Sequence, residues 1–235
     1  MSRGDQEVYL VSPKRSAIGR FGGGLSSVRA DDLLAHLFKA VVEDSGVNPA
    51  DFDDVIAGCA NQAGEDNRNV ARMAAVLAGF PESVPGVTVN RLCASSLEAV
   101  NMASRAIWCQ DAEMILVGGV EVMSRSPYVI PRNATGKAVF GNLTAFDTAL
   151  GWRFPNPKME AIFPLEAMGC TAENLVDKHG ISREDQDAFA FTSQRKALAA
   201  QEAGAFDAEI VPVEIPQRKG APLIIGRDEG QIGRA

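Results

Sequence analysis

The sequence predicts an α/β protein with a long irregular stretch after its first 120 residues. Three observations carry this. Short apolar runs alternate with amphipathic helical stretches through the first 120 residues. The segment Val84–Val100 passes from strand period to helix period within one tight turn. From Tyr128 to Phe163 the chain turns Pro-, Gly- and Asn-rich with little period, as long functional or disordered segments do.

In chain order, Val8–Val11 reads as the first strand. Ser12–Leu25 follows with Gly19, Gly22, Gly23 and Gly24 but without a phosphate-loop pattern, so a connecting loop is expected. Asp31–Ser45 is a helix with acids in its first turn and Gly46 as its stop. Leu34, Leu37, Phe38 and Val41 form its buried stripe, and His36 falls on the solvated face with Asp32, Lys39 and Glu43. Val55–Cys59 is the second strand, with Cys59 as core filler. Asn69–Ala78 is a small-residue helix ended by Gly79.

Val87 and Val89 alternate as in a half-buried strand, with Pro85 at its start. A helix then runs over about Ala94–Cys109, with Leu97, Val100, Ala103 and Ile107 on one stripe and Cys109 packed at its end. Met114–Val117 is a further strand ending in Gly118-Gly119. Met168–Gly180 is a helix with His179 at its C-terminal end, where an imidazole suits the dipole. Ser182-Arg183-Glu184-Asp185 is a capping box opening a helix to about Ala203, with Ala188, Phe191 and Leu198 on one face. Glu209–Ile215 is an edge-type strand containing Pro212, and Gln217-Arg218-Lys219-Gly220 is a basic turn.

Cys93 stands where strand period changes to helix period. A thiol at a helix start faces free backbone N–H groups and the positive end of the dipole, which stabilise thiolate, the reactive form. A strand-to-helix turn also exposes its residue at the carboxyl end of the strand. On the residues alone Cys93 is either a candidate nucleophile or a small buried hydrophobe at a helix start, since free cysteines are commonly buried and inert. Glu121 is expected to be structural, because no second acid pairs with it.

Composition narrows the partners. The 235 residues are 46% hydrophobic and 23% charged, with net charge −7, which argues against nucleic acid as the main partner. No run approaches the ~20 apolar residues of a membrane span. Met1–Gln6 is polar and has no secretory core. Cys59, Cys93, Cys109 and Cys170 show no CxxC or metal-ligand spacing, which predicts reduced thiols, a cytoplasmic setting and no metal site.

Asn90-Arg91-Leu92-Cys93-Ala94-Ser95-Ser96-Leu97 resembles the nucleophile signature of thiolases, which cleave or form 3-ketoacyl-CoA. The resemblance continues in Ser12–Phe21, Asn67–Arg72, Val84–Asn90, Gly118–Pro127 and the M-G-x-T-A-E-N segment Met168–Asn174. Ser96 departs from the pattern, standing where many thiolases have Gly, the residue that frees the backbone. Asp147–Pro157 is similar to the branch acting on 3-oxoadipyl-CoA in aromatic degradation.

The resemblance implies a thiolase-like amino-terminal half over 1–120, a mixed sheet with helices on both faces, and an inserted loop domain over the CoA site, 121–235. It implies acyl transfer through a Cys93 thioester, with CoA and acyl-CoA as substrates and no permanently bound cofactor. Met168 would pack on the pantetheine arm, Arg218 and Lys219 would meet the CoA phosphates, and Arg153 would meet the far carboxylate of a dicarboxylate substrate. Family members form dimers or tetramers, so an oligomer is expected. A ketoacyl synthase shares the fold, but the Asn90-Arg91 pair and Met168–Asn174 argue against it.

These 235 residues contain no N-E-A-F, G-H-P or C-x-G-x-G segment, which in thiolases supply the oxyanion-hole Asn, the activating His and the acid/base Cys. The resemblance is expected to fade after Glu229. The reading is thus a truncated or split thiolase in which the helix after Cys93 leaves its Ala-rich face uncovered. The alternative is a CoA-binding remnant without turnover of its own.

Overall fold

The computed structural model describes residues 7–132 and 141–230. Met1–Gln6, part of the irregular stretch (133–140) and the carboxyl-terminal residues 231–235, expected to depart from the thiolase pattern, lie outside the described residues. The chain forms two compact units. Unit 1 holds the described residues up to Arg125 together with Asp207–Gly230, and unit 2 holds Ser126–Phe206. Residues 207–230 thus return to the first unit, so its limit is not a single cut at residue 120.

Unit 1 is built on β1 (Asp54–Gly58), β2 (Val87–Val89) and β3 (Ile115–Gly119), in the order β2-β1-β3. Both pairings are parallel, with Ile56 opposite Val87 and Val117. The sheet is therefore parallel where a mixed one was expected, because helical crossovers join its strands. The chain runs β1, α2 (Val70–Ala78), β2, α3 (Ser95–Trp108), β3. β2 lies to one side of β1 and β3 to the other. Right-handed crossovers in opposite directions put their helices on opposite faces.

Strand alternation follows from that. Val55 and Ala57 point into a core with Leu34, Phe38, Val70 and Ala74 of α1 (Ala30–Ser45) and α2, whereas Ile56 packs with Ala99 and Ala103 of α3. A strand covered on both faces must be apolar at successive positions, as β1 is. Glycine permits the close approaches. An added Cβ at Gly118 would press on Phe38 of α1, while one at Gly58 would overlap the α3 backbone at Ser95–Ser96.

Helix ends follow their caps. Gly46, Gly79 and Gly180 close α1, α2 and α5 (Met168–His179) in the left-handed region. Asn69 and Ser182 accept from N–H groups in the first turns of α2 and α6 (Arg183–Glu202).

Several expectations are corrected. Val8–Val11 is not a strand: among the described residues nothing pairs with it, and Tyr9, Leu10 and Val11 are exposed. The buried side of α3 is Ser95, Ala99 and Ala103, not a Leu97 stripe. Close packing on a sheet selects small residues, so the Ala face is covered and Leu97 is 62% exposed. Cys109, the C-cap of α3, is exposed rather than packed. His36 is half-buried and bonds the Pro212 carbonyl at 3.0 Å, rather than being fully solvated. The expected strand over 209–215 is short, β6 (Val213–Ile215), and pairs antiparallel with β7 (Leu223–Ile225), which periodicity did not reveal.

The Gly-rich loop is more than a connection. Glu229 lays its carboxylate into it, accepting from the N–H groups of Arg20 and Gly24, each at 3.0 Å. A Cβ at Gly23 or Gly24 would collide with that carboxylate. Beside it, Arg15 forks onto Asp228 at 2.7 and 3.1 Å and also holds Glu209 at 2.6 Å.

Unit 2 pairs β4 (Tyr128–Val129) with β5 (Phe146–Asp147) antiparallel, followed by the short α4 (Pro157–Glu160), α5 and α6. Phe146 packs on Phe154 with ring centroids 5.0 Å apart. On α6, Phe191 and Ala188 are exposed, contrary to the expected apolar face. Among the described residues no helix is long and apolar enough to cross a membrane.

Candidate active site

Cys93 is exposed and lies two residues ahead of Ser95, the first residue of α3. β2 ends at Val89, so Asn90–Ala94 makes the whole strand-to-helix turn. Leu92, just before the cysteine, holds φ +51°. For an L residue this region costs roughly 1–2 kcal/mol, and such strain gathers at functional turns. The turn is closed by Ala94 N–H to the Arg91 carbonyl at 3.1 Å and Ser95 N–H to the Leu92 carbonyl at 3.0 Å.

Two side chains that periodicity did not single out hold the turn. Asn90 accepts from Leu92 N–H through Oδ1 and donates to the Ala60 carbonyl through Nδ2, both at 2.9 Å. Ser95 Oγ accepts from Arg91 N–H at 2.9 Å and donates to the Leu92 carbonyl at 2.6 Å. The available signal was local: Asn and Ser commonly bond backbone groups a few residues away.

Ser96 needs no glycine geometry. It is the second residue of a regular α3, and its hydroxyl fills space left by Gly119. Arg91 is not a free cation, because its Nε meets Glu98 at 3.1 Å and Arg105 reaches the same carboxylate at 3.3 Å.

Glu121, as expected, is structural in its contacts. It accepts from the N–H groups of Ala60 and, at 3.2 Å, Asn61. Behind these lies Cys59, 2% exposed, with its thiol near the Asn61 carbonyl and Asp66. Burial, then the negative charges of Glu121 and Asp66, push this thiol up to about 12, so it is inert beside the exposed Cys93.

The remaining candidates are distributed as follows. Arg218 and Lys219 are exposed in the turn between β6 and β7, in unit 1. Met168 opens α5 in unit 2 and is 82% exposed. Arg153, also in unit 2, is half-buried and donates to the Thr148 carbonyl at 3.3 Å. His36 lies on α1, across the sheet from α3, and so on the far side from the Cys93 helix. Among the described residues no cluster of three or more His, Cys, Asp or Glu is placed to hold a metal ion.

Parallel strands, a helix packed through alanines and an exposed cysteine on a strained strand-to-helix turn define an α/β protein with an accessible thiol between strand and helix. Comparison with known proteins narrows this. Residues 8–234 match the family model "Thiolase, N-terminal domain", and the chain belongs to the thiolase family. The match runs past the expected fade at Glu229. The chain is 54% identical over 226 residues to the beta-ketoadipyl-CoA thiolase of Acinetobacter baylyi, covering 95% of this chain and 56% of that protein. It is 49% identical over 225 residues to the 3-oxoadipyl-CoA/3-oxo-5,6-dehydrosuberyl-CoA thiolase of Escherichia coli, with the same two coverages. The crystal structure of the Bacillus anthracis acetyl-CoA acetyltransferase superposes with TM-score 0.83 at 36% identity, over 94% of this chain and 54% of that one. The chain spans about half the length of the curated relatives it matches.

Proposed function

We propose that this chain carries the nucleophile of a thiolase-type acyl transfer between a 3-ketoacyl-CoA and CoA. Cys93 thiolate attacks the 3-keto carbon, the bond to the acetyl-CoA carbanion breaks, and that carbanion takes a proton. The acyl group stays on sulfur as a thioester until CoA thiolate removes it, which is covalent ping-pong catalysis. The observation that carries this reading is the exposed Cys93 on its strained turn, in a chain so similar to named thiolases.

A 3-oxoadipyl-type substrate follows from the relatives' names and from Asp147–Pro157. Its far carboxylate would meet Arg153, the pantetheine arm of CoA would meet Met168, and the CoA phosphates would meet Arg218 and Lys219. CoA comes and goes as a substrate, and no cofactor is permanently bound. Four free cysteines suit a reducing, cytoplasmic setting. Exposed Leu97 and Trp108 on α3 suit assembly into an oligomer or onto a second thiolase half.

The second reading is a CoA-binding remnant or split-enzyme subunit without turnover. The placement of His36 across the sheet from α3, away from the Cys93 helix, favours it. The deciding experiment is CoA-dependent cleavage of acetoacetyl-CoA and 3-oxoadipyl-CoA, with Cys93→Ala as control. Cleavage lost in the variant supports the enzyme. Acyl label trapped on Cys93 without turnover supports the split subunit, and neither cleavage nor label refutes Cys93 as nucleophile.

A further inference from the structure

The strain at Leu92 is held from both sides of the residue. Its N–H is taken by Asn90 and its carbonyl by Ser95, which is 4% exposed. Asn90 also reaches out of the turn, to the Ala60 carbonyl at 2.9 Å. Ala60 follows β1, and its own N–H is held by Glu121, which follows β3. The turn that carries Cys93 is therefore tied to the ends of two neighbouring strands. A turn that only had to reverse the chain could relieve its strain with glycine. Strain kept in a leucine by surrounding bonds points to a role for the residue that follows it.

We propose that Asn90 and Ser95 are positioning residues that hold Leu92 in the left-handed region and so present the Cys93 thiol in one orientation at the start of α3. This rests on Cys93 as the nucleophile. Attack on a carbonyl needs the reacting atoms aligned at about 3–3.5 Å, and a misplacement of ~1 Å is felt strongly in rate. Asn90 carries the larger share. The Ser95 hydroxyl is backed by its own N–H on the same Leu92 carbonyl, whereas the tie to Ala60 comes from the Asn90 side chain.

The four cysteines provide the test. Cys93, Cys109 and Cys170 are exposed and Cys59 is buried. Native iodoacetamide labelling, resolved by mass at each cysteine, is compared in the parent, Asn90→Ala and Asn90→Asp. The aspartate keeps an acceptor for Leu92 N–H and loses the donor to Ala60. Thiol alkylation follows thiolate character and access, so Asn90→Ala is expected to lower Cys93 labelling about fivefold relative to Cys109 and Cys170. Asn90→Asp restores part of it, and Cys59 stays unlabelled. Cys93 labelling that is level or raised in Asn90→Ala overturns the proposal. Equal loss at Cys93 in Asn90→Asp and Asn90→Ala, with Cys59 unlabelled, also overturns it, because the acceptor kept for Leu92 N–H then holds nothing. Acylation of Cys93 by acetoacetyl-CoA is read in the same samples. A parent chain that is alkylated but never acylated refutes the nucleophile reading while leaving the Asn90 comparison intact.

Discussion

Ser96 and Gly119 share one space: the Ser96 hydroxyl occupies the volume that a β-carbon on Gly119 would need. Through this pair, and through Gly58 beneath the backbone of Ser95–Ser96, the first turn of α3 sits directly on β1 and β3. The start of the helix behind Cys93 is thus located by the absence of side chains below it.

Gly119→Ala and Gly58→Ala are expected to destabilise the chain. Overpacking costs typically about 1–3 kcal/mol. Gly58→Ala belongs at the upper end or beyond, because its β-carbon meets backbone rather than a movable side chain. Adding Ser96→Gly should recover part of the Gly119→Ala loss and none of the Gly58→Ala loss. Urea unfolding of the four variants decides this.

Orientation of α3 makes a second prediction. Ala99 is fully buried against the sheet and Leu97 faces solvent. Leu97→Ala should change stability by less than about 0.5 kcal/mol, while Ala99→Leu should cost about 1–3 kcal/mol. The reverse order in chemical denaturation would show that the helix lies the other way round.

Two carboxylates near the end of unit 1 make stability depend on pH. The N–H groups of Arg20 and Gly24 hold Glu229 below the usual carboxylate range, and the Arg15 guanidinium, with Ile18 N–H, does the same for Asp228. A depressed carboxylate stabilises the fold at pH values above its unfolded value, about 3.9–4.3. That contribution is lost as pH falls through the folded value. Unfolding free energy should therefore drop on acidification below about pH 4.3, and Asp228→Asn with Glu229→Gln should flatten that drop. At neutral pH the double variant should be less stable by about 1–3 kcal/mol, since it loses charge-assisted bonds. Denaturation curves between neutral and acid pH measure both effects.

Cys59 should be silent. With burial and two nearby negative charges holding its thiol at about 12, an aromatic disulfide reagent at neutral pH should titrate the three exposed cysteines and reach the fourth only in denaturant. Rapid native labelling of Cys59 would mean that the β1 exit is open.

Much of this was legible locally. Gly46, Gly79 and Gly180 and the caps Asn69 and Ser182 placed helix ends, because capping is chemistry between residues close in sequence. Cys93 was legible because a change of period marks a strand-to-helix turn. The buried side of α3 was not legible from period, and its Ala-rich face, expected uncovered, is covered, because a helix pressed onto strands ending in glycine buries Ser95, Ala99 and Ala103.

By itself the sequence determined the alternation of strands and helices, their ends and the position of Cys93 between β2 and α3, since each depends on period and short-range bonding. The tertiary structure decided what needs partners far along the chain. Val8–Val11 is apolar but finds no neighbouring strand among the described residues, and strand structure requires an inter-strand ladder. The Gly-rich loop is filled by Glu229, about 205 positions away. Asn90, in the turn before Cys93, reaches the Ala60 carbonyl across 30 residues. Contacts at that separation leave no periodic trace, because chain closure and packing, not local propensity, choose them.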